Sequence, residues 1–219
     1  MLIEPVATFH SPLSEKFGIP RQSGLAPSLR GTVELEPKFR SPDALRGLEG
    51  FDYVWLIWGF SLNRSGSAEG SLTVRPPRLG GNERIGVFAS RSPYRPNPLG
   101  LSSVKVESID FENGTVSVLG ADLADGTPIF DIKPYVEYAD SHPGVRSGFV
   151  DAKQWEPLEV VFEAAVPEGL EESLRDVLSQ DPRPQYQDDP QRVYGMSFAG
   201  YNIKFTVSGS VLTVKEIQK

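Results

Sequence analysis

Two runs of alternating residues, Val104-Lys105-Val106-Glu107-Ser108-Ile109 and Thr115-Val116-Ser117-Val118-Leu119, flank Asn113-Gly114. No other feature of the 219-residue chain limits its folding choices as tightly. A period of two puts every second side chain on one face of an extended strand. Asn-Gly favours the positive φ angles that a type I′ turn needs at both central positions. The spacing predicts an antiparallel hairpin. Thr32-Val33-Glu34-Leu35-Glu36 also alternates, and Phe51 to Phe60 is a continuous apolar, aromatic run bounded by glycines. Such a run suits a strand covered on both faces or lining a barrel. Arg84 to Ala89 and Pro128 to Val136 add two more short strands. Six or so short strands without long intervening helices predict an antiparallel or mixed barrel, so the chain reads as mainly β. One short helix is expected at Ser41-Pro42-Asp43-Ala44-Leu45, with Ser41 as N-cap, Pro42 at the first helical position and Gly47 as the stop.

The pattern changes beyond residue 138. Residues 139–155, with His142-Pro143-Gly144 and Ser147-Gly148, read as a linker between a barrel over residues 1–138 and a small α+β domain over residues 156–219. In that domain Leu158 to Ala164 reads as a strand. Pro167 to Ser179 reads as a helix with Leu170, Leu174, Val177 and Leu178 on one face. A loop, Gln180 to Gln191, follows. Met196 to Val207 and Ser210 to Ile217 read as strands around Ser208-Gly209.

Composition removes several kinds of chemistry. There is no cysteine, which excludes disulfides, iron–sulfur clusters, thiolate zinc sites and cysteine nucleophiles. The two histidines, His10 and His142, cannot supply a three-histidine site or an i, i+4 pair. No Gly-x-Ser-x-Gly elbow, phosphate loop or Gly-x-Gly-x-x-Gly turn occurs. The start lacks a basic, apolar leader, and the longest apolar run, Tyr53 to Phe60, is far short of the ~20 residues that span a bilayer, so a soluble cytoplasmic protein is expected. Net charge is −7. Bulk charge therefore argues against nucleic acid, but its distribution does not. Residues 75–95 hold five arginines against one acid, whereas residues 151–190 hold eleven acids against three bases.

The arginines fall in two proline-rich loops, Arg75-Pro76-Pro77-Arg78-Leu79-Gly80-Gly81 and Arg91-Ser92-Pro93-Tyr94-Arg95-Pro96-Asn97-Pro98-Leu99-Gly100. Proline fixes φ and lowers the entropy lost in holding guanidinium and amide groups toward an anion or a base edge. Rigid turns of an all-β domain have a similar composition. Asp122, Asp125 and Asp131 are close in sequence, yet they lack the spacing of a calcium loop, and no metal is expected. Asp125-Gly126 is equally a turn tip.

Taken together, these residues resemble the TsaA-like family, also called TrmO or YaeB, of S-adenosylmethionine-dependent tRNA methyltransferases. The match runs through His10-Ser11-Pro12, Glu15-Lys16-Phe17-Gly18-Ile19-Pro20-Arg21-Gln22, Thr73 to Gly81, Gly86-Val87-Phe88-Ala89, Arg91-Ser92 and Arg95 to Gly100. It continues through Asp122-Leu123, Asp125 to Pro128, Asp131 to Tyr135, and Gln180-Asp181-Pro182-Arg183-Pro184 with Tyr186. The resemblance implies a six-stranded, single-sheet β-barrel that binds the cofactor, plus a small C-terminal α+β domain. It implies methylation of N6 of threonylcarbamoyladenosine beside the anticodon. A non-catalytic adenosylmethionine- or RNA-binding regulator on the same barrel is the alternative.

On that resemblance, adenosylmethionine is expected among Arg21, Gln22, Ser23, Arg91, Leu101 and the turn Asp122-Leu123-Ala124-Asp125. Arginine suits the carboxylate of the methionine part, and turn backbone suits the adenine edge. Asp131 and Tyr135 are candidates for base or proton relay, with a salt bridge to Lys133 or a nearby arginine as the other reading of Asp131. Arg95 and Asn97 are candidates to orient the threonyl carboxylate and the base. Arg75, Arg78, Lys133 and Arg183 are expected to contact the tRNA anticodon stem–loop. The barrel interior is expected to be filled by the aromatics of Phe51 to Phe60, which leaves the cofactor outside the sheet, covered by the second subunit of a C2 homodimer.

Overall fold

The computed structural model describes residues 2–62, 72–76, 83–151, 156–183 and 189–219. In chain order the first eight strands are β1 (Ala7–His10), β2 (Arg30–Leu35), β3 (Tyr53–Gly59), β4 (Thr73–Val74), β5 (Ile85–Gly86), β6 (Leu99–Asp110), β7 (Thr115–Leu119) and β8 (Thr127–Pro134). Six of them close into a barrel in the order β1-β2-β7-β6-β3-β8, and β4 pairs with β5 in a separate ribbon. Every neighbouring pair in the barrel is antiparallel. One rim therefore gathers the ends of β1, β3 and β7 and the starts of β2, β6 and β8.

Closure needs inward side chains on every strand. On β3 these are Val54, Leu56 and Trp58, all buried, while Tyr53, Trp55 and Ile57 alternate outward. The expectation that aromatics of Phe51 to Phe60 fill the interior is thus corrected. Trp58 alone among them is deep in the core, because the strict alternation of β3 turns Tyr53 and Trp55 to the outer wall. The core is completed by Phe9, Val33, Val104, Val116, Val118 and Ile129.

The hairpin between β6 and β7 forms, with a longer turn than Asn-Gly suggests. Gly114 has φ +63°, but Asn113 does not join it at positive φ. Asp110 instead accepts from the backbone N–H groups of Glu112 and Asn113, both at 3.0 Å, and this side-chain cap supports a four-residue connection. Helix α1 (Pro42–Leu45) starts as expected, with the Ser41 hydroxyl accepting from Asp43 N–H, and Gly47 leaves it at φ +89°. The run Arg84 to Ala89 yields only the two residues of β5 and a 3-10 turn at Val87–Ala89. A short α2 (Glu137–Asp140) follows the barrel.

The C-terminal part contains β9 (Glu159–Phe162), α3 (Glu171–Ser179), β10 (Tyr194–Phe198), β11 (Tyr201–Ser208) and β12 (Val211–Gln218). The sheet order is β10-β11-β12-β9, with β9 parallel to β12 and the rest antiparallel. Helix α3 begins at Glu171 because Gly169 sits at φ +77°, outside helical geometry. The run Met196 to Val207 is two strands. Ala199 and Gly200, at φ +52° and +78°, make the tight turn between them. Ala199 tolerates this conformation where its N–H donates to Pro12 O at 2.8 Å.

Candidate active site

The connection from β7 to β8, residues 120–126, joins strands on opposite sides of the six-membered ring, so it crosses the barrel mouth. Its apolar residues plug that end: Ala121, Leu123 and Ala124 are buried. Its polar residues are left at the rim. At the β7 side, Gly120 accepts from Gly24 N–H at 2.8 Å and donates to Leu29 O at 2.9 Å. The two chains run so close that a Cβ on Gly120 would lie 3.4 Å from Gly24 Cα, and Gly120 has φ +78°. At the β8 side, Asp125 Oδ1 accepts from Ser11 N–H at 3.0 Å and lies 3.5 Å from His10 Nδ1. His10 Nε2 is 3.2 Å from Glu34. The Asp125 N–H donates to Leu13 O. The long β1–β2 connection thus fastens both ends of the crossing.

Between these fastenings Asp122 is half-buried. Its Oδ1 accepts from the Ser102 hydroxyl at 2.5 Å, and Ser102 Oγ in turn accepts from Trp58 Nε1 at 3.0 Å. Burial pushes the Asp122 carboxyl above the usual aspartate range, opposed by the Ser102 hydrogen bond, backbone N–H groups including that of Ser23, and the Arg91 charge. Arg91 Nη1 donates to Gln22 Oε1, and Gln22 Nε2 donates to Arg21 O at 2.5 Å. Gln22, Ser23, Arg91 and Asp122 therefore form one cluster, drawn from three loops that meet at the rim. Leu101, 56% exposed, stands on the outer wall beside it, one residue from Ser102. Arg95 is on the same loop as Arg91 and donates to Ser90 O at 3.1 Å, and Asn97 is exposed just before β6.

Other expected site residues lie apart from that cluster. Arg21 reaches toward Asp181 O at the end of α3, in a cleft of about 330 Å³ lined also by Lys16 and Gln180. Asp131 is opposite Ile57 on the outer wall and is paired with Lys133 Nζ at 3.0 Å. Tyr135 packs on Trp55 at the far end of β8, about 25 Å along the strand from the rim. Arg183 is 11% exposed and is clasped by both oxygens of Asp181. Arg75 is exposed at the end of β4, and Arg78 lies outside the described residues. Among the described residues no group of three or more His, Asp or Glu side chains is placed to hold a metal ion.

Sequence reasoning missed Ser102, Trp58 and His10 as parts of this rim. The signal was present. Ser102 occupies an inward position of the alternating strand that contains Val104, and an inward indole N–H needs an acceptor.

Residues 8–141 match the tRNA-methyltransferase O N-terminal domain, and residues 156–219 match the TrmO C-terminal domain. The chain is 38% identical over 219 residues to the tRNA (adenine(37)-N6)-methyltransferase of Escherichia coli K12, covering 94% of this chain and 92% of that one. It is 44% identical over 207 residues to a Pseudomonas aeruginosa protein provisionally named S-adenosylmethionine-dependent methyltransferase RcsF, covering 89% of this chain and 87% of that one. A crystal structure of TrmO from Pseudomonas aeruginosa superposes with a TM-score of 0.79 at 32% identity, covering 100% of this chain and 99% of that one. With two family domains spanning most of its length and relatives matched nearly end to end, the chain belongs to the tRNA-methyltransferase O family.

Proposed function

We propose that the chain transfers a methyl group from S-adenosylmethionine to N6 of threonylcarbamoyladenosine beside the tRNA anticodon. The observation that carries this reading is the meeting at the mouth of a carboxylate, Asp122, and a guanidinium, Arg91, whose charge acts on it while its Nη1 donates to Gln22. An amino-acid head group bears an ammonium and a carboxylate, and those two charges match Asp122 and Arg91 in turn. The exposed Leu101 side chain beside them offers apolar surface to the rest of the molecule. When bound, adenosylmethionine supplies an electrophilic methyl group on sulfur.

The chain's own residues then hold and orient. Arg91, Gln22 and Asp122 fix the head group. Arg95 and Asn97, on the Arg91 loop, orient the threonyl carboxylate and the base. Alignment of nucleophile, carbon and sulfur provides most of the acceleration in such a transfer. The accepting nitrogen is conjugated with a ring and a carbonyl, so losing its proton needs a nearby base or cations that stabilise the anion. Asp131 and Tyr135 are the candidate base and relay. Since both lie on the outer wall, they serve a mouth only when presented by a second subunit. Tyr53, Leu99 and Leu101 leave that wall apolar and exposed, which supports a C2 homodimer. Arg75, Arg78 and Lys133 contact the anticodon stem–loop, while Arg183 shapes the loop after α3.

Mass spectrometry of tRNA nucleosides after incubation with enzyme and adenosylmethionine tests the reaction. A gain of one methyl on threonylcarbamoyladenosine at catalytic enzyme concentration supports it, and unmodified nucleoside with bound cofactor favours a regulator. Light scattering tests the assembly: a mass near 24.1 kDa rejects the dimer. Mixing two inactive variants, Arg91→Ala and Asp131→Ala, restores activity only if two subunits build one site.

A further inference from the structure

The hydrogen-bond chain Trp58–Ser102–Asp122 runs from the middle of the barrel to its rim, and none of the binding roles above uses its inner two members. The fold specifies it in several ways. Trp58 is 7% exposed and Ser102 1% exposed. Gly100 faces Trp58 across the β3–β6 pair, and a Cβ there would lie 2.2 Å from the indole Cε2. The β3–β8 register slips between Ile57 and Trp58, where β8 carries the extra residue, Phe130, and Trp58 keeps its inward place in the alternation of β3. Phe60 meets the indole edge-on, with ring centroids 4.4 Å apart. The result places Nε1 at 3.0 Å from Ser102 Oγ.

This geometry fixes direction. An indole nitrogen can only donate, so Ser102 Oγ accepts from Trp58 and turns its own hydrogen to Asp122 Oδ1. A proton on Oδ1 would leave the Ser102 hydroxyl hydrogen without an acceptor. The other groups that face Asp122 are the backbone N–H groups of Ser23 and of Asp122 itself, and the Arg91 guanidinium. Each one is a donor or a cation. We propose that Ser102, oriented by Trp58, is a positioning residue that locks one oxygen of Asp122 and holds the carboxylate ionised for the ligand's ammonium group. The tendency of burial to keep Asp122 protonated is what the chain opposes. The ligand part of this inference rests on the proposed binding of adenosylmethionine, while the ionisation part stands on the unliganded protein.

The experiment has two readouts on the full chain. Carboxyl ¹³C NMR follows the Asp122 titration without ligand, and calorimetry follows adenosylmethionine affinity against pH. Ser102→Ala removes a hydrogen bond that favours the charged form. Its Asp122 midpoint should move to higher pH, its affinity should fall about tenfold at neutral pH, and the pH at which affinity is half-lost should rise. Ser102→Thr keeps the hydroxyl and should restore parent behaviour. Trp58→Phe keeps Ser102 but frees its orientation, and should move both midpoints the same way by less. It carries the test if Ser102→Ala does not fold. An Asp122 midpoint unmoved in the folded variants overturns the proposal, whether or not the cofactor binds. A moved NMR midpoint with no binding by the parent leaves the ionisation part standing and removes the cofactor reading instead.

Discussion

The barrel core is assembled from its own strands and the turns between them, from Ala7 to Ile129. The core under the C-terminal sheet is not self-contained. It takes Leu13, Ala26 and Leu29, all buried, from the connection between β1 and β2, and packs them with Leu174, Leu178, Met196 and Phe205. A sheet closed on itself needs no outside cover, whereas an open sheet has a face to hide. Helix α3 covers only part of that face, and the borrowed loop covers the rest. The two units are therefore joined by core packing, not by a tether alone. The same loop carries Gln22 and Ser23 to the mouth and fastens Gly120 and Asp125, so the C-terminal sheet supports the candidate site from behind.

The largest effect should come from breaking that shared core. Leu13→Ala empties a fully buried position and should cost about 3 kcal/mol. Hydrogen exchange should show β10–β12 and residues 120–125 losing protection together. A loosened sheet under an unchanged crossing would mean that the loop does not transmit support. Gly100→Ala is the matching break in the barrel. With its Cβ overlapping the Trp58 ring, it should cost about 2 kcal/mol and leave exchange in β10–β12 at parent rates.

Asp176, on α3, accepts from both the N–H and the hydroxyl of Ser28, at 2.9 and 2.5 Å. Asp176→Ala should cost about 1.5 kcal/mol and weaken ligand binding at the mouth without touching it, as calorimetry would detect. Asp122→Asn should act with the opposite sign on stability. The raised Asp122 carboxyl contributes stability that is present below its unfolded pKa and lost as pH rises through the folded one. Replacing it should therefore remove a penalty on the fold at neutral pH, with the gain shrinking as pH falls, while cofactor affinity is lost. Denaturant melts at several pH values check the trend. The smallest effect should be at Arg30, whose exposed bidentate pair with Glu107 is worth about 0.5 kcal/mol or less.

Where the chain encodes structure locally, the sequence was readable. Ser41, Pro42 and Gly47 bound α1 through their own backbone preferences, and alternation marked β2, β6 and β7. What depends on distant partners was not. Nothing in Phe198-Ala199-Gly200-Tyr201 announces a two-residue turn, because the partner that holds Ala199 is Pro12, far away in sequence. Asn113-Gly114 announced one that a side chain at Asp110 displaced. The site divides in the same way. Family motifs pointed to Gln22, Arg91 and Asp122, which the folded mouth brings together. Motif reading alone gave no hint that Asp131 and Tyr135 stand on the outer wall, because strand direction and register decide that.

The borrowed loop also sets a schedule for synthesis. The barrel can close once the chain through Pro134 is available, since β1 needs β8 to complete its pairing. At that stage Leu13, Ala26 and Leu29 still have no cover, because Phe205, Leu212 and Val214 have yet to be made. A nascent chain therefore carries a sticky loop on an otherwise finished barrel until its last strands leave the ribosome. Translation that stalls or ends before β12 yields a protein that has built its barrel and still presents a surface for aggregation and for quality control.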